Sequence, residues 1–242
     1  MKSKTKKRII AVTIPFLVLL VLSVSFFVYT SDYYHADETA LKALVSDEKV
    51  TVTKTDYGYF FDGTGTTDAF VFYPGGKVEE TAYAPLMRLT AEQGVDVCLL
   101  KMPFRLAFFD IDKADMFIDQ TEYEHYYVGG HSLGGVAASY YLNDNTDNID
   151  GIIFCASYPV KDIPEKKLAL SIYGSLDNVL DSQQYENAKK YFPSDHKEYV
   201  LDGANHSGFG SYGVQKGDFA PTITNDVQQS KTAEIIVNQI KQ

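Results

Sequence analysis

A serine, an aspartate and a histidine, each placed just after an apolar run, are the residues of this chain whose types and order could do nucleophilic chemistry. Ser132 lies in Gly129-Gly130-His131-Ser132-Leu133-Gly134-Gly135, where Gly130, Ser132 and Gly134 fit G-x-S-x-G. Tyr126, Tyr127 and Val128 precede it as a β-prone run, and Val136, Ala137, Ser139 and Tyr140 follow at helical spacing. That context is a nucleophile elbow, a sharp strand-to-helix turn that lifts a hydroxyl above a sheet and needs glycine where strand and helix crowd together. The competing reading is a glycine-rich turn whose serine merely caps the helix.

A serine attacks a carbonyl near neutral pH only with a base, a group that orients the base, and donors for the oxyanion. In a parallel sheet these groups belong on loops at the carboxyl ends of the strands. Asp177 follows the run Leu168–Tyr173, His206 follows the run Glu198–Leu201, and the order Ser132, Asp177, His206 goes with this elbow. The other histidines, His35, His125, His131 and His196, lie in the tether, at strand starts or in the elbow itself, and His131 is read as a packing residue. Asp202 and Asp181 compete with Asp177; a turn aspartate is often only a turn former, and Asp202 is so close to His206 that it would have to fold back to orient it. The oxyanion donors are expected to be the backbone N–H of Leu133 and that of Gly76 or Lys77, in the loop Pro74-Gly75-Gly76-Lys77-Val78.

The elements that must hold these residues alternate as strand and helix from Lys49 onward, the pattern of an α/β domain with a mostly parallel twisted sheet. Val50–Val52 and Tyr57–Phe61 read as an antiparallel edge, and Ala69–Tyr73, Val95–Leu100 and Gly151–Ala156 as buried strands. Tyr83, Leu86, Met87 and Thr90 mark a helix ending near Gly94, and Ala233, Ile236, Val237 and Ile240 a closing one. Residues 31–48 read as a polar tether. Ahead of it, Ile9–Tyr29 carries no charge and is long enough to cross a bilayer. Lys2, Lys4, Lys6, Lys7 and Arg8 precede it, which predicts a cytoplasmic N-terminus and an extracytoplasmic domain in a single-pass cell-membrane protein. A cleaved signal peptide is the rival. Ser23-Val24-Ser25 followed by Phe26-Phe27-Val28 is a poor cleavage context, which favours an anchor.

The net charge is -10 although those basic residues are included, so the rest of the chain is strongly acidic and unsuited to nucleic acid. The two cysteines, Cys98 and Cys155, lie in apolar runs and read as buried hydrophobes; a contact between them stays open. Neither a metal-ligand spacing nor a Rossmann or phosphate-loop motif is present, so no cofactor is expected.

The segments YPGGKVE from Tyr73, VGGHSLGG from Val128, SIYGSLDNVL from Ser171 and GANHSGFGSYGVQKGD from Gly203 make residues 49–242 similar to the α/β-hydrolase superfamily. The likeness is to its small, capless branch near the dienelactone hydrolases. It implies that Ser132, Asp177 and His206 act as nucleophile, acid and base on an ester or related acyl bond of a small or lipid-like substrate. The dienelactone enzymes use a cysteine nucleophile, so their substrate does not carry over. Phe209, Tyr212, Gln215 and Asp218 either line the pocket mouth or pack as a surface loop. The alternative function is a catalytically inactive surface or interaction protein that keeps the fold.

Overall fold

Asp68–Tyr73 is buried at every residue, and its side chains alternate between two apolar layers. Ala69, Val71 and Tyr73 enter one cluster, with Ala137, Ala138, Tyr141 and Leu142; Phe70 and Phe72 enter the other, with Leu86, Met87, Ile236 and Val237. A strand covered on both faces reads as a continuous apolar run, which is why this one was legible.

The computed structural model describes the backbone of residues 2–242 and the side chains from residue 14 onward. The basic side chains Lys2, Lys4, Lys6, Lys7 and Arg8 therefore lie outside the described residues. One eight-stranded sheet runs in the order β1-β2-β4-β3-β5-β6-β7-β8. Its strands are β1 Thr51–Lys54, β2 Gly58–Asp62, β3 Asp68–Tyr73, β4 Asp96–Leu100, β5 His125–His131, β6 Gly151–Cys155, β7 Leu168–Gly174 and β8 Lys197–Leu201. β1 and β2 form the antiparallel edge, and β4, β3, β5, β6, β7 and β8 are successively parallel. All parallel strands therefore end on one rim.

The helices are α1 Lys2–Ser31, α2 Glu38–Lys42, α3 Ala84–Glu92, α4 Asp115–Ile118, α5 Leu133–Asp144, α6 Ser182–Ala188 and α7 Asn225–Ile240. Helix α3 gives way at Gly94, whose φ of 90° is the left-handed stop that glycine accepts readily. Residues of α3 and α7 cover one face of the sheet, and residues of α4 and α5 the other. Cys98 and Cys155 are buried free thiols in opposite layers, so they do not pair.

The chain divides into two compact units, Met1–Tyr33 and Tyr34–Gln242. The second begins earlier than the Lys49 expected from the sequence, because backbone bonds sew Tyr34 into it. The Tyr34 N–H donates to the Lys77 carbonyl at 2.8 Å, and the Tyr34 carbonyl accepts from the Glu79 N–H at 2.9 Å. Its phenol oxygen accepts the N–H of Lys216 at 2.9 Å. In the first unit, Ile14–Ser31 has a mean hydropathy of 2.2 and is long and apolar enough to cross a membrane, a test that a signal sequence also passes.

Candidate active site

Among the described residues, the non-glycine residues with positive φ are Lys77, Phe104, Arg105, Ser132 and Ala156. They follow β3, β4, β5 and β6 on the rim where those strands end. A left-handed conformation costs such residues about 1–3 kcal/mol and persists where the surroundings over-determine it, commonly at functional sites.

Ser132 shows how the sequence enforces this. Its φ of 52° and ψ of -123° make the turn from β5 into α5. A Cβ on Gly130 would lie 2.4 Å from the Tyr73 carbonyl oxygen, and one on Gly134 2.2 Å from the same atom. Only glycine permits that approach. The turn is tied down by the Ser132 N–H, which donates to the Cys155 carbonyl at 3.0 Å, and by the Ser157 hydroxyl, which donates to the Ser132 carbonyl at 2.6 Å. Leu133 is the first residue of the twelve-residue helix α5, so its N–H is one of the donors a helix leaves free at its positive end.

Asp177 and His206 leave β7 and β8 and meet with His206 Nδ1 2.9 Å from Asp177 Oδ2, both side chains 1% exposed. An ionised carboxylate only accepts, so Nδ1 carries the proton and Nε2 presents its lone pair. The other carboxylate oxygen, Oδ1, accepts the N–H groups of Val179 and Leu180 at 2.9 and 2.8 Å, which fixes the acid within its own turn. Among the described residues, His206 Nε2 is buried without a hydrogen-bond partner. His206 and Ser132 line one pocket of about 180 Å³, together with the apolar Leu133, Val136, Ala156, Val179 and Leu180 and the polar Ser157, Tyr158 and Asp181. The competing aspartates have other duties: Asp202 accepts from the Ser175 hydroxyl, and Asp181 caps α6 through the Gln184 N–H.

On the oxyanion side, the Lys77 N–H donates to the Arg105 carbonyl at 2.9 Å, and the Gly75 N–H to the Tyr83 hydroxyl at 3.1 Å. Lys77, one of the two alternatives for the second donor beside Leu133, has its hydrogen already engaged, which leaves Gly76. Gly76 stands beside Leu133: a Cβ on it would fall 2.9 Å from Leu133 Cδ2.

Three supports of this site carry no local signature in the sequence. Asp218 Oδ2 accepts both the N–H and the hydroxyl of Ser207, at 2.9 and 2.8 Å, while its Oδ1 accepts the Asn178 N–H at 3.3 Å. One carboxylate thus joins the acid loop to the histidine loop. Buried Gln228, on α7, clasps Asn205 by donating to its carbonyl at 2.8 Å and accepting its N–H at 3.2 Å. His131 is more than packing: its ring nitrogens meet the Tyr83 hydroxyl at 2.8 Å and the His206 carbonyl at 3.0 Å. Phe209 and Tyr212 are buried, Gln215 and Asp218 are half-buried, and none of the four lines the Ser132 pocket. Among the described residues, no group of three His, Cys, Asp or Glu is placed to hold a metal ion.

This fold and rim define an α/β hydrolase. Residues 69–230 match the alpha/beta hydrolase family, and the chain belongs to it. No curated protein matches the chain by sequence. Its fold is similar to a dienelactone hydrolase from Anabaena variabilis, with 13% identity and a TM-score of 0.56 over 81% of this chain and 97% of that one. It is likewise similar to Est1E from Butyrivibrio proteoclasticus, at 13% identity and a TM-score of 0.56, covering 81% of this chain and 100% of that one. A monoacylglycerol lipase from Paleococcus ferrophilus aligns at 13% identity and a TM-score of 0.57, covering 79% of this chain and 100% of that one.

Proposed function

We propose that the chain is a membrane-anchored serine hydrolase that cleaves carboxylic esters or related acyl bonds through Ser132, His206 and Asp177. The observation that carries this reading is a buried imidazole held on a buried carboxylate, with its other nitrogen unpartnered, in the wall of the pocket that also holds the elbow serine. His206 Nε2 takes the Ser132 proton as the hydroxyl oxygen attacks the acyl carbon. Asp177 holds the tautomer and stabilises the imidazolium, and the N–H groups of Leu133 and Gly76 receive the oxyanion. His206 returns the proton to the leaving alkoxide, and water then releases the acyl group by the same path in reverse. The pocket is small and sets the aliphatic Leu133, Val136, Val179 and Leu180 beside the polar Ser157, Tyr158 and Asp181, which suits the acyl part of a short ester. A methylesterase and a monoacylglycerol lipase among the proteins of similar fold agree with this class of substrate. The apolar helix Ile14–Ser31 supports anchorage, with the basic N-terminus cytoplasmic and the hydrolase unit outside.

A fluorophosphonate probe should label the wild type and not Ser132→Ala; an unlabelled wild type would mean an inactive fold. With p-nitrophenyl esters of increasing chain length, kcat/KM should be highest for the shorter acyl groups. Asp177→Asn should lower kcat by about 10³–10⁴-fold, as expected when the base loses the partner that sets its tautomer. Resistance of the full-length chain to alkaline extraction from membranes, with an intact N-terminus by mass spectrometry, tests the anchor.

A further inference from the structure

Beneath the pocket, Tyr83 and His131 are both at most 1% exposed, and the reaction as proposed uses neither. We infer that they are positioning residues that lock the oxyanion loop to the backbone of the catalytic base. This rests on the triad reading above. The Gly75 N–H meets the Tyr83 oxygen at 3.1 Å, that oxygen meets His131 Nδ1 at 2.8 Å, and His131 Nε2 meets the His206 carbonyl at 3.0 Å. Every proton in this chain has one possible place. A carbonyl only accepts, so Nε2 carries hydrogen; neutral imidazole then leaves Nδ1 bare, so the tyrosine O–H points at it; the phenol lone pair takes the Gly75 N–H.

Each end of the chain touches the chemistry. At one end it grips the main chain of His206, the residue whose ring must reach Ser132 in the proposed reaction. At the other it fixes the N–H of Gly75, while the Gly75 carbonyl accepts the Val78 N–H at 3.3 Å. Tyr83 thus holds the Pro74–Gly75 peptide at its N–H and Val78 holds the next peptide, Gly75–Gly76, at its carbonyl, so the loop is fixed on both sides of the Gly75 α-carbon. In a trans peptide the Gly76 N–H points opposite to the Gly75 carbonyl, so holding that plane aims the proposed oxyanion donor. An apolar pair would fill the same volume without the cost of burying polar groups, so a fully satisfied polar chain here specifies geometry.

His131 also has to stay neutral. Its ring centroid lies 4.5 Å from that of His206, which becomes an imidazolium during catalysis. Two adjacent positive rings in a buried setting would repel strongly. Burial, and then the neighbouring His206, hold the His131 pKa well below the ordinary histidine value, while burial raises the Tyr83 phenol far above its own.

The test uses the full-length chain in detergent with Tyr83→Phe, His131→Gln and His131→Leu. It reads kcat and KM on a soluble p-nitrophenyl ester, the thermal midpoint, and hydrogen exchange in the segment containing Gly75. Tyr83→Phe should lower kcat by about 10- to 100-fold with KM changed less than about two-fold, the scale of a small misplacement of reacting groups. Exchange of one amide in that segment should accelerate at least about ten-fold. Glutamine retains a donor toward the His206 carbonyl and leucine does not, so His131→Gln should exceed His131→Leu in kcat. Wild-type kcat in Tyr83→Phe, or equal kcat in the two His131 variants, overturns the inference. Should Tyr83→Phe not fold, the His131 pair decides. Should the wild type hydrolyse nothing, the hydrolase reading fails instead. Exchange near Gly75 still decides whether the pair holds the loop: unchanged exchange in the variants refutes it.

Discussion

The turn that carries Ser132 and the loops that carry Asp177 and His206 reach the same pocket by different physical means. The turn is shaped by exclusion: glycines at 130 and 134 let a strand, a helix and the Tyr73 carbonyl crowd to distances no Cβ could tolerate. The loops are shaped by hydrogen bonds from far along the chain, with Asp218 on Ser207 and Asn178, Gln228 on Asn205, and His131 on the His206 carbonyl. Steric exclusion is all or nothing, whereas hydrogen-bonded support can be weakened one bond at a time. Damage to the turn should therefore abolish the fold locally, and damage to the loops should lower activity by degrees.

The largest effect is expected from Gly134→Ala. Its new Cβ would sit 2.2 Å from the Tyr73 carbonyl oxygen, and relief requires the helix to move off the sheet. A loss above about 4 kcal/mol in chemical denaturation, or insoluble protein, is expected; a stable, active variant would remove the steric half of the contrast. Next comes Asp218→Asn, which takes an acceptor from a carboxylate engaged on two loops. About 1.5–3 kcal/mol of stability is at stake for hydrogen bonds to a charged group, and kcat should fall more than KM changes. Unaltered kcat would show that the acid and histidine loops hold themselves.

A smaller, pH-dependent effect separates wild type from His131→Asn. The folded chain keeps His131 neutral well below the ordinary histidine pKa, whereas the unfolded chain takes up a proton at about 6.5. The unfolded state binds more protons there, so this residue's contribution is fully present above pH 6.5. It declines as the pH falls toward the folded pKa, by up to about 1.4 kcal/mol per unit. Urea denaturation across that range should show the two proteins converging as the pH falls; parallel curves would mean that His131 titrates freely. The smallest effect is chemical: Cys98 and Cys155 are buried with thiols raised well above their usual pKa by burial, so neither should react with a thiol reagent until the protein unfolds.

The contrast also explains what the sequence revealed. The elbow was legible because its requirements lie within a few residues: a β-prone run, two spaced glycines and a helix start. The continuous apolar runs of β3, β4 and β6 disclosed the core for the same reason. Asp177 and His206, which the structure brings together, were legible as candidates from their places after strands. Their braces were not, because Asp218, Gln228 and Tyr83 act at long range, and Tyr83 looks in sequence like one more core position of a helix face. Lys77 was offered as an oxyanion donor beside Gly76, and only the Arg105 carbonyl, brought in by the loop after β4, separates the two.

The stitch at Tyr34 bears on how the protein could be processed. Its main chain closes on both sides of Val78, next to the proposed oxyanion loop, and its hydroxyl takes an N–H from the segment that leads to Asp218. A maturation cut on the carboxyl side of this tyrosine would unpick a seam beside the proposed oxyanion loop. Any shed form that keeps its activity should therefore retain Tyr34 near its new amino terminus, which N-terminal mass mapping of active material can check.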